Sequence, residues 1–357
     1  MQSALYFLVG LVVFLFSLDL MISSLQHLGA AVTDTILLAT SNPFTGLFIG
    51  LLVTAIIQSS SATTSLTVAL VASGSLTLPG AVPIIMGANI GTTITSTIVS
   101  LSFINQKKEF RRAVSAGTYH GFFKILTALI LFPLEYQFQF LSRMAQFIAI
   151  HLFHEPSVQP VGSFKLLGPT LSGPINFITS VIGNGYVLGG LSVILLYGSI
   201  LFFRKLISNM LGFGSPEKLQ RFFFKNPYKS FGWGLVTTAA IRSSTVTTSL
   251  VVPLVAKRII KLRQAAAFIL GANIGTTVTA FMASTFNSNA AISIALTHFL
   301  FNFIGILLFF RTPFLKEIPF QLATGMGKLT LHNRLVGFLY LLIVFFLVPF
   351  SLIYLNQ

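Results

Sequence analysis

Residues 58–93 align without a gap on residues 242–277, and 20 of the 36 aligned positions are identical. Seven of those identities are consecutive: Gly-Ala-Asn-Ile-Gly-Thr-Thr runs from Gly87 to Thr93 and again from Gly271 to Thr277. Chance would give only a few matches over this length. The chain is therefore internally duplicated, and the fold of one half constrains the fold of the other. A weaker echo follows, with Thr118-Tyr119-His120 set against Leu296-Thr297-His298 at an offset of 178 instead of 184.

The repeat lies in apolar surroundings. Hydrophobic residues make up 54% of the 357 and charged residues only 8%. A soluble domain carries about a quarter charged residues, so a water-facing surface cannot be built from this pool. Several apolar runs approach the roughly 20 residues that cross a bilayer as a helix. They run continuously instead of alternating, which argues against a β-barrel. The fold class expected is an all-α polytopic membrane protein. Its spans are read at about 4–27, 80–104, 113–133, 187–203, 265–286, 290–310 and 335–356.

Two further apolar segments, about 44–73 and 231–256, carry polar residues at their centres, Gln58–Thr64 and Arg242–Thr248. The flanks are too short to cross alone, so each segment reads as a re-entrant helical hairpin with its tip near the midplane. If each hairpin enters and leaves on one side, each half has three true crossings and the halves are inverted. Segments 105–112, 204–229, 257–264 and 311–334 then share one side and hold 18 of the 22 Lys and Arg. That side is cytoplasmic by the positive-inside rule. The net charge of +15 is explained this way and calls for no nucleic-acid partner.

The chain divides into a first inverted repeat at 1–133, an extracytoplasmic connection at 134–186 and a second inverted repeat at 187–310. A cytoplasmic loop and C-terminal transmembrane helix occupy 311–357. The connection has room for an interfacial helix near Tyr136–Phe153, while Gly168–Gly185 is too broken for a span. The apolar run near Leu5–Leu25 lacks a basic leader and a small-residue cleavage site, so it reads as a retained first helix. The N-terminus is expected in the cytoplasm of a plasma (inner) membrane protein, and the C-terminus outside. The absence of cysteine rules out disulfides and thiolate-bound metals.

A broken helix leaves unpaired backbone N–H and C=O groups, costly in hydrocarbon unless they line a cavity. A half-helix N-terminus suits an anion, and unwound carbonyls with hydroxyls suit a hard cation such as sodium. Ser59, Ser60 and Ser61 stand at the first break, and Ser243, Ser244 and Thr245 at the second. One such cluster is as readily a helix cap or a packing surface; two matched clusters favour a compact polar site. Asn89 and Asn273, with Thr92, Thr93, Thr276 and Thr277, extend it, or the repeated motif serves small-residue packing. Asp19, Lys124 and Arg242 are charges within membrane segments and functional hypotheses on that ground. Arg242 replaces Gln58 of the first copy, where a guanidinium clamps an oxyanion or pairs with Asp19. Lys124 adds positive potential or pairs with an acid. His120 and His298 are packing histidines or proton relays.

The Gln58-Ser59-Ser60-Ser61 run, with two copies of Gly-Ala-Asn-Ile-Gly-Thr-Thr, resembles the sodium/phosphate cotransporter family, its type II group and bacterial relatives. The resemblance covers about 45–130 and 230–310. It implies sodium-driven uptake of inorganic phosphate, with both Ser-rich hairpins forming the substrate and sodium sites and with matching His and Asn positions; His298 and Asn302 fit that pattern. Substrate then meets Ser59, Ser60, Ser61, Ser243, Ser244, Thr245, Arg242, Asn89 and Asn273. Sodium, the coupling ion and the only metal expected, sits near Gln58, Ser60, Thr63, Thr64, Asn89, Thr92 and Thr93. In the second half it sits near Ser244, Thr247, Thr248, Asn273, Thr276 and Thr277. The chain departs from the family pattern at Arg242 and at Lys124, which stands where the second half has Asn302. Both changes add positive charge, and a cationic side chain can replace a sodium ion electrostatically, so sodium coupling is expected to be reduced. No catalytic pair of carboxylates and no other cofactor is expected. The rivals are a transporter of another oxyanion or an organic phosphate, and a non-transporting intramembrane enzyme or scaffold.

Overall fold

The computed structural model describes residues 40–152, 169–210, 222–241, 243–284 and 289–355, with scattered positions between 9 and 27. Every regular element among them is helical. The first half contains α1 (Pro43–Ile57), α2 (Ser60–Ala72), α3 (Leu78–Gly91), α4 (Ile94–Leu101) and α5 (Lys107–Phe138). Next come α6 (Phe140–Leu152), α7 (Pro169–Ile182) and α8 (Gly185–Met210). The second half contains α9 (Pro227–Ile241), α10 (Ser244–Ala256), α11 (Leu262–Gly275), α12 (Thr277–Ser284) and α13 (Asn289–Ile306). The chain continues in α14 (Glu317–His332), α15 (Leu335–Leu342) and α16 (Val348–Leu355). Among the described residues, five helical stretches are long and apolar enough to cross a membrane: Leu78–Leu101, Lys107–Phe138, Leu262–Met282, Asn289–Arg311 and Leu335–Leu355.

The duplication is reproduced in these boundaries. Adding 184 to both ends of α1, α2 and α3 gives both ends of α9, α10 and α11. The same local chemistry starts α1 and α9. Asn42 accepts from the Phe44 N–H at 2.9 Å, and Asn226 accepts from the Lys229 N–H at 2.8 Å. Each is followed by proline, whose missing N–H costs nothing at a helix start.

The expected spans need refinement in three places. The span at 80–104 is two helices, α3 and α4, interrupted at Thr92–Thr93, and α11 passes into α12 at a similar break. The repeated Gly and Thr residues loosen the helix there. The C-terminal span carries a π-helical turn at Ile343–Leu347. In the connection, α6 occupies the stretch expected to hold an interfacial helix, and α7 makes the Gly/Pro-rich stretch helical. Pro174 lies inside α7, where it removes one backbone bond and crowds the carbonyl four residues back. At 14 residues, α7 is too short to cross alone. Most of the span expected at 4–27, including Asp19, lies outside the described residues.

Helices α1 and α3 pack against each other along much of their length, as do α9 and α11. Glycine makes this possible. A β-carbon on Gly87 would lie 1.8 Å from the Leu47 carbonyl oxygen, and one on Gly271 would lie 1.9 Å from that of Phe231. Gly50 and Gly91, with their mates Gly234 and Gly275, are pressed against backbone in the same way. The glycines of the repeated motif thus serve backbone contact between helices, leaving the Asn and Thr for other work.

The halves interlock. The long helix α5 packs on α10 of the second half, and α13 packs on α2 of the first. Each long helix therefore leans on the Ser/Thr-rich helix of the opposite repeat.

The four basic segments meet. Lys257 pairs with Glu109 at 2.9 Å, Arg112 Nε donates to the Ala256 carbonyl at 2.7 Å, and Gln264 Nε2 donates to the Phe224 carbonyl at 2.5 Å. Arg263 grips Glu317 through two bonds of 2.8 Å. The described parts of the four segments are joined through these contacts, that of 204–229 through Phe224.

Candidate functional site

The first break is built from two residues of opposite backbone habit. Gln58 ends α1 in the left-handed region, at φ 56°, and its N–H bonds the Thr54 carbonyl at 2.8 Å. Ser59 is extended and starts α2 by accepting from the Ala62 N–H at 3.2 Å. At the second break Ser243 has nearly the same dihedrals and accepts from the Val246 N–H at 3.4 Å. Arg242, the counterpart of Gln58, lies outside the described residues. A left-handed conformation in a non-glycine residue costs about 1 kcal/mol or more. At Gln58 it caps the C-terminus of α1, where the N–H bond to Thr54 closes the last turn.

Hydroxyls line both half-helices in the same order. Thr63 donates to the Ser59 carbonyl at 3.2 Å, and Thr247 donates to the Ser243 carbonyl at 2.9 Å. Thr248 donates to the Ser244 carbonyl at 2.8 Å. Ser60, Ser61 and Ser244 are buried in the first turns. The two breaks touch: Thr245 Oγ1 donates to the Gln58 carbonyl at 3.3 Å. The hydroxyls of Ser96 and Thr248 share a bond of 3.3 Å, again between halves.

The motif asparagines face the opposite repeat. His120 Nε2 donates to Asn273 Oδ1 at 2.9 Å. Lys124 Nζ donates to Asn89 Oδ1 at 2.7 Å and also to Asn302 Oδ1. Repeat symmetry would pair His298 with Asn89 as His120 pairs with Asn273. Instead Lys124 and Asn302 hold Asn89, and neither ring nitrogen of buried His298 has a partner among the described residues. No described carboxylate pairs with Lys124. Its partners are amide oxygens, so of the two alternatives the acid partner is not met among the described residues.

The motif threonines divide. Thr92 donates to the Ala88 carbonyl at 2.8 Å, Thr93 to Ile90 at 2.8 Å and Thr277 to Ile274 at 2.7 Å. These bonds satisfy the helix's own carbonyls. Thr64 and Thr276 are buried with their hydroxyls unpartnered among the described residues, and so is the amide nitrogen of Asn273. Unmatched buried polar atoms are rare, and these three lie in the repeated segments.

Two members of the network were missed by motif reading. Thr54 donates to Thr63 Oγ1 at 2.8 Å, and Ser96 joins Thr248 as above. Thr54 was detectable: Thr238 stands 184 residues later, so carrying the alignment upstream finds the pair. Ser96 has Ala280 at that offset and gives no repeat signal.

Known proteins resemble this chain over nearly its whole length. It is 29% identical over 435 residues to sodium-dependent phosphate transport protein 2B of Homo sapiens, an alignment covering 95% of this chain and 63% of that protein. It is 31% identical over 420 residues to protein 2A of Oryctolagus cuniculus, covering 95% and 65%. The chain thus spans a little under two thirds of the length of these relatives. No solved structure matches it. The family model described as Na+/Pi-cotransporter matches twice, over residues 13–151 and 194–332, once in each half. With most of its length matched, the chain belongs to the Na+/Pi-cotransporter family.

Proposed function

We propose that this protein is a secondary transporter that takes up inorganic phosphate together with sodium by alternating access between two inverted halves. The observation that carries the reading is the meeting of two repeat-related helix breaks at Thr245 and Gln58. Two half-helix N-termini there offer N–H groups and serine hydroxyls to an anion. Ser59, Ser60, Ser61, Ser243, Ser244 and Thr245 bind the phosphate oxygens in this reading, with Asn89 and Asn273 behind them. Arg242 neutralises charge at the second break. Sodium, which is cargo here, takes carbonyl and hydroxyl oxygens at Gln58, Ser60, Thr63, Thr64, Thr92 and Thr93. It takes the matching set at Ser244, Thr247, Thr248, Thr276 and Thr277. The names of the relatives, which describe sodium-dependent phosphate transport, support the substrate and the coupling ion.

The interlocked packing supplies a reason for coupling. Because α5 rests on α10 and α13 on α2, a ligand that closes one break also acts on the long helix of the other half. The basic segments face the cytoplasm of the plasma membrane in this reading. Reconstitution tests the proposal: labelled phosphate enters proteoliposomes under an inward sodium gradient, and a panel of competing oxyanions identifies the preferred one. Stronger competition by sulfate or an organic phosphate than by unlabelled phosphate would reassign the substrate.

A further inference from the structure

We infer that the Lys124 ammonium is a tethered cation occupying a seat built from Asn89 and Asn302, and that it stands in for one coupling sodium ion. The inference rests on the transport reading above and specifies how its coupling departs from repeat symmetry.

The seat is organised before any cation enters it. Asn89 Nδ2 donates to the Ile85 carbonyl at 2.9 Å, and Asn302 Nδ2 donates to the His298 carbonyl at 2.8 Å. Each bond reaches one helical turn back, and Asn302 Nδ2 also donates to Asn89 Oδ1 at 3.2 Å, so the two amides meet beside Lys124. Both oxygens accept from Lys124 Nζ. The ring of Phe301 lies 5.5 Å from Nζ and that of Phe123 lies 6.0 Å away, distances at which an aromatic face attracts a cation. Oriented amide oxygens are also the hard donors that alkali and alkaline-earth ions take.

Packing alone does not call for a lysine. The matching residue of the second half is Asn302, four residues after His298 as Lys124 is four after His120. Lys124 is 2% exposed, and a buried charge is costly unless it is both hydrogen-bonded and paired. Only neutral oxygens hold it among the described residues. No acid among the described residues pairs with it. It joins three helices of both repeats, α3, α5 and α13, at the place where they cross. A free sodium ion would offer the same charge to the same oxygens, but it would enter and leave with each cycle.

The test compares wild type with Lys124→Asn, which restores repeat symmetry and empties the seat. Labelled sodium and labelled phosphate uptake are counted together in proteoliposomes. The inference expects the variant to carry about one more sodium per phosphate and to respond more steeply to sodium. An unchanged ratio and steepness overturn it. If Lys124→Asn does not fold, Asn302→Asp gives the second reading. A carboxylate beside a seated ammonium leaves the melting temperature at or above that of wild type; a large drop overturns the inference. If wild type shows no sodium-driven phosphate uptake, the transport reading fails. The seat is then judged on its own by the sodium-induced rise in melting temperature. A larger rise in Lys124→Asn than in wild type supports it, and equal rises overturn it.

Discussion

Thr245 Oγ1 donates to the carbonyl of Gln58 at 3.3 Å, so two helix breaks from different halves of the chain are in direct contact. The carbonyl belongs to a residue in a left-handed conformation, and the hydroxyl lies in the first turn of a helix capped by Ser243.

Thr245→Val removes that bond and leaves the Gln58 carbonyl without this donor. The loss should be about 1 kcal/mol of stability and, if the same contact forms part of the anion site, about a fivefold rise in the KM for phosphate. Thr245→Ser keeps a hydroxyl and should recover most of both. Thermal melting and uptake kinetics on the two variants check this.

The motif glycines give a prediction that separates packing from chemistry. Gly87→Ala places a methyl 1.8 Å from the Leu47 carbonyl, so α1 must move off α3. A loss of about 3 kcal/mol is expected, at the severe end for overpacking. Gly232 on α9 has open space around it, and Gly232→Ala should stabilise the helix by up to about 1 kcal/mol. Melting temperatures in detergent decide between these outcomes. Equal effects at the two sites would remove the close-approach argument.

Much of this was legible in the sequence because duplication carries its own control. The breaks at Ser59 and Ser243 stood out as polar interruptions in apolar runs, and Asn89 and Asn273 stood out by exact repetition. The basic segments could be grouped by sign alone, since charge is excluded from hydrocarbon. Contacts between residues far apart in sequence could not be read. Nothing local says that His120 reaches Asn273 or that Ser96 meets Thr248, because those bonds depend on how α5 and α4 cross the other half. Lys124 is the instructive case. Its place within a membrane segment was legible, and an acid partner was one of two alternatives for it; its partners are two amide oxygens. The motif serves both of the roles open to it, with glycines for helix contact and asparagines for the polar network.

The two histidines are equivalent by position and unequal by environment. His120 satisfies Asn273 Oδ1 at 2.9 Å, whereas neither nitrogen of His298 finds a partner among the described residues. His120→Leu leaves a buried amide oxygen unmatched and should cost about 1–3 kcal/mol. His298→Leu strands nothing and should cost under about 1 kcal/mol on the same reasoning. Chemical or thermal denaturation of both variants tests the asymmetry.

Arg263 holds Glu317 with two bonds, and those bonds keep the Glu317 carboxyl below the usual carboxylate range. A group depressed in the folded state contributes stability above its unfolded value, roughly pH 4.3 for glutamate. That contribution is lost as pH falls through the folded value. Wild type should therefore lose melting temperature on acidification in this window more than Glu317→Gln does. The difference should shrink at high salt, because the pair is exposed. Parallel acid-side curves for the two proteins would show that the pair contributes nothing.

The most direct test of the central claim is uptake of labelled phosphate by the purified protein in proteoliposomes, with an inward sodium gradient set against an equal choline gradient. The account predicts accumulation above protein-free vesicles only with sodium, and its loss when sodium is equal on both sides. Equal uptake with sodium and choline, or none with either from a folded protein, would contradict it.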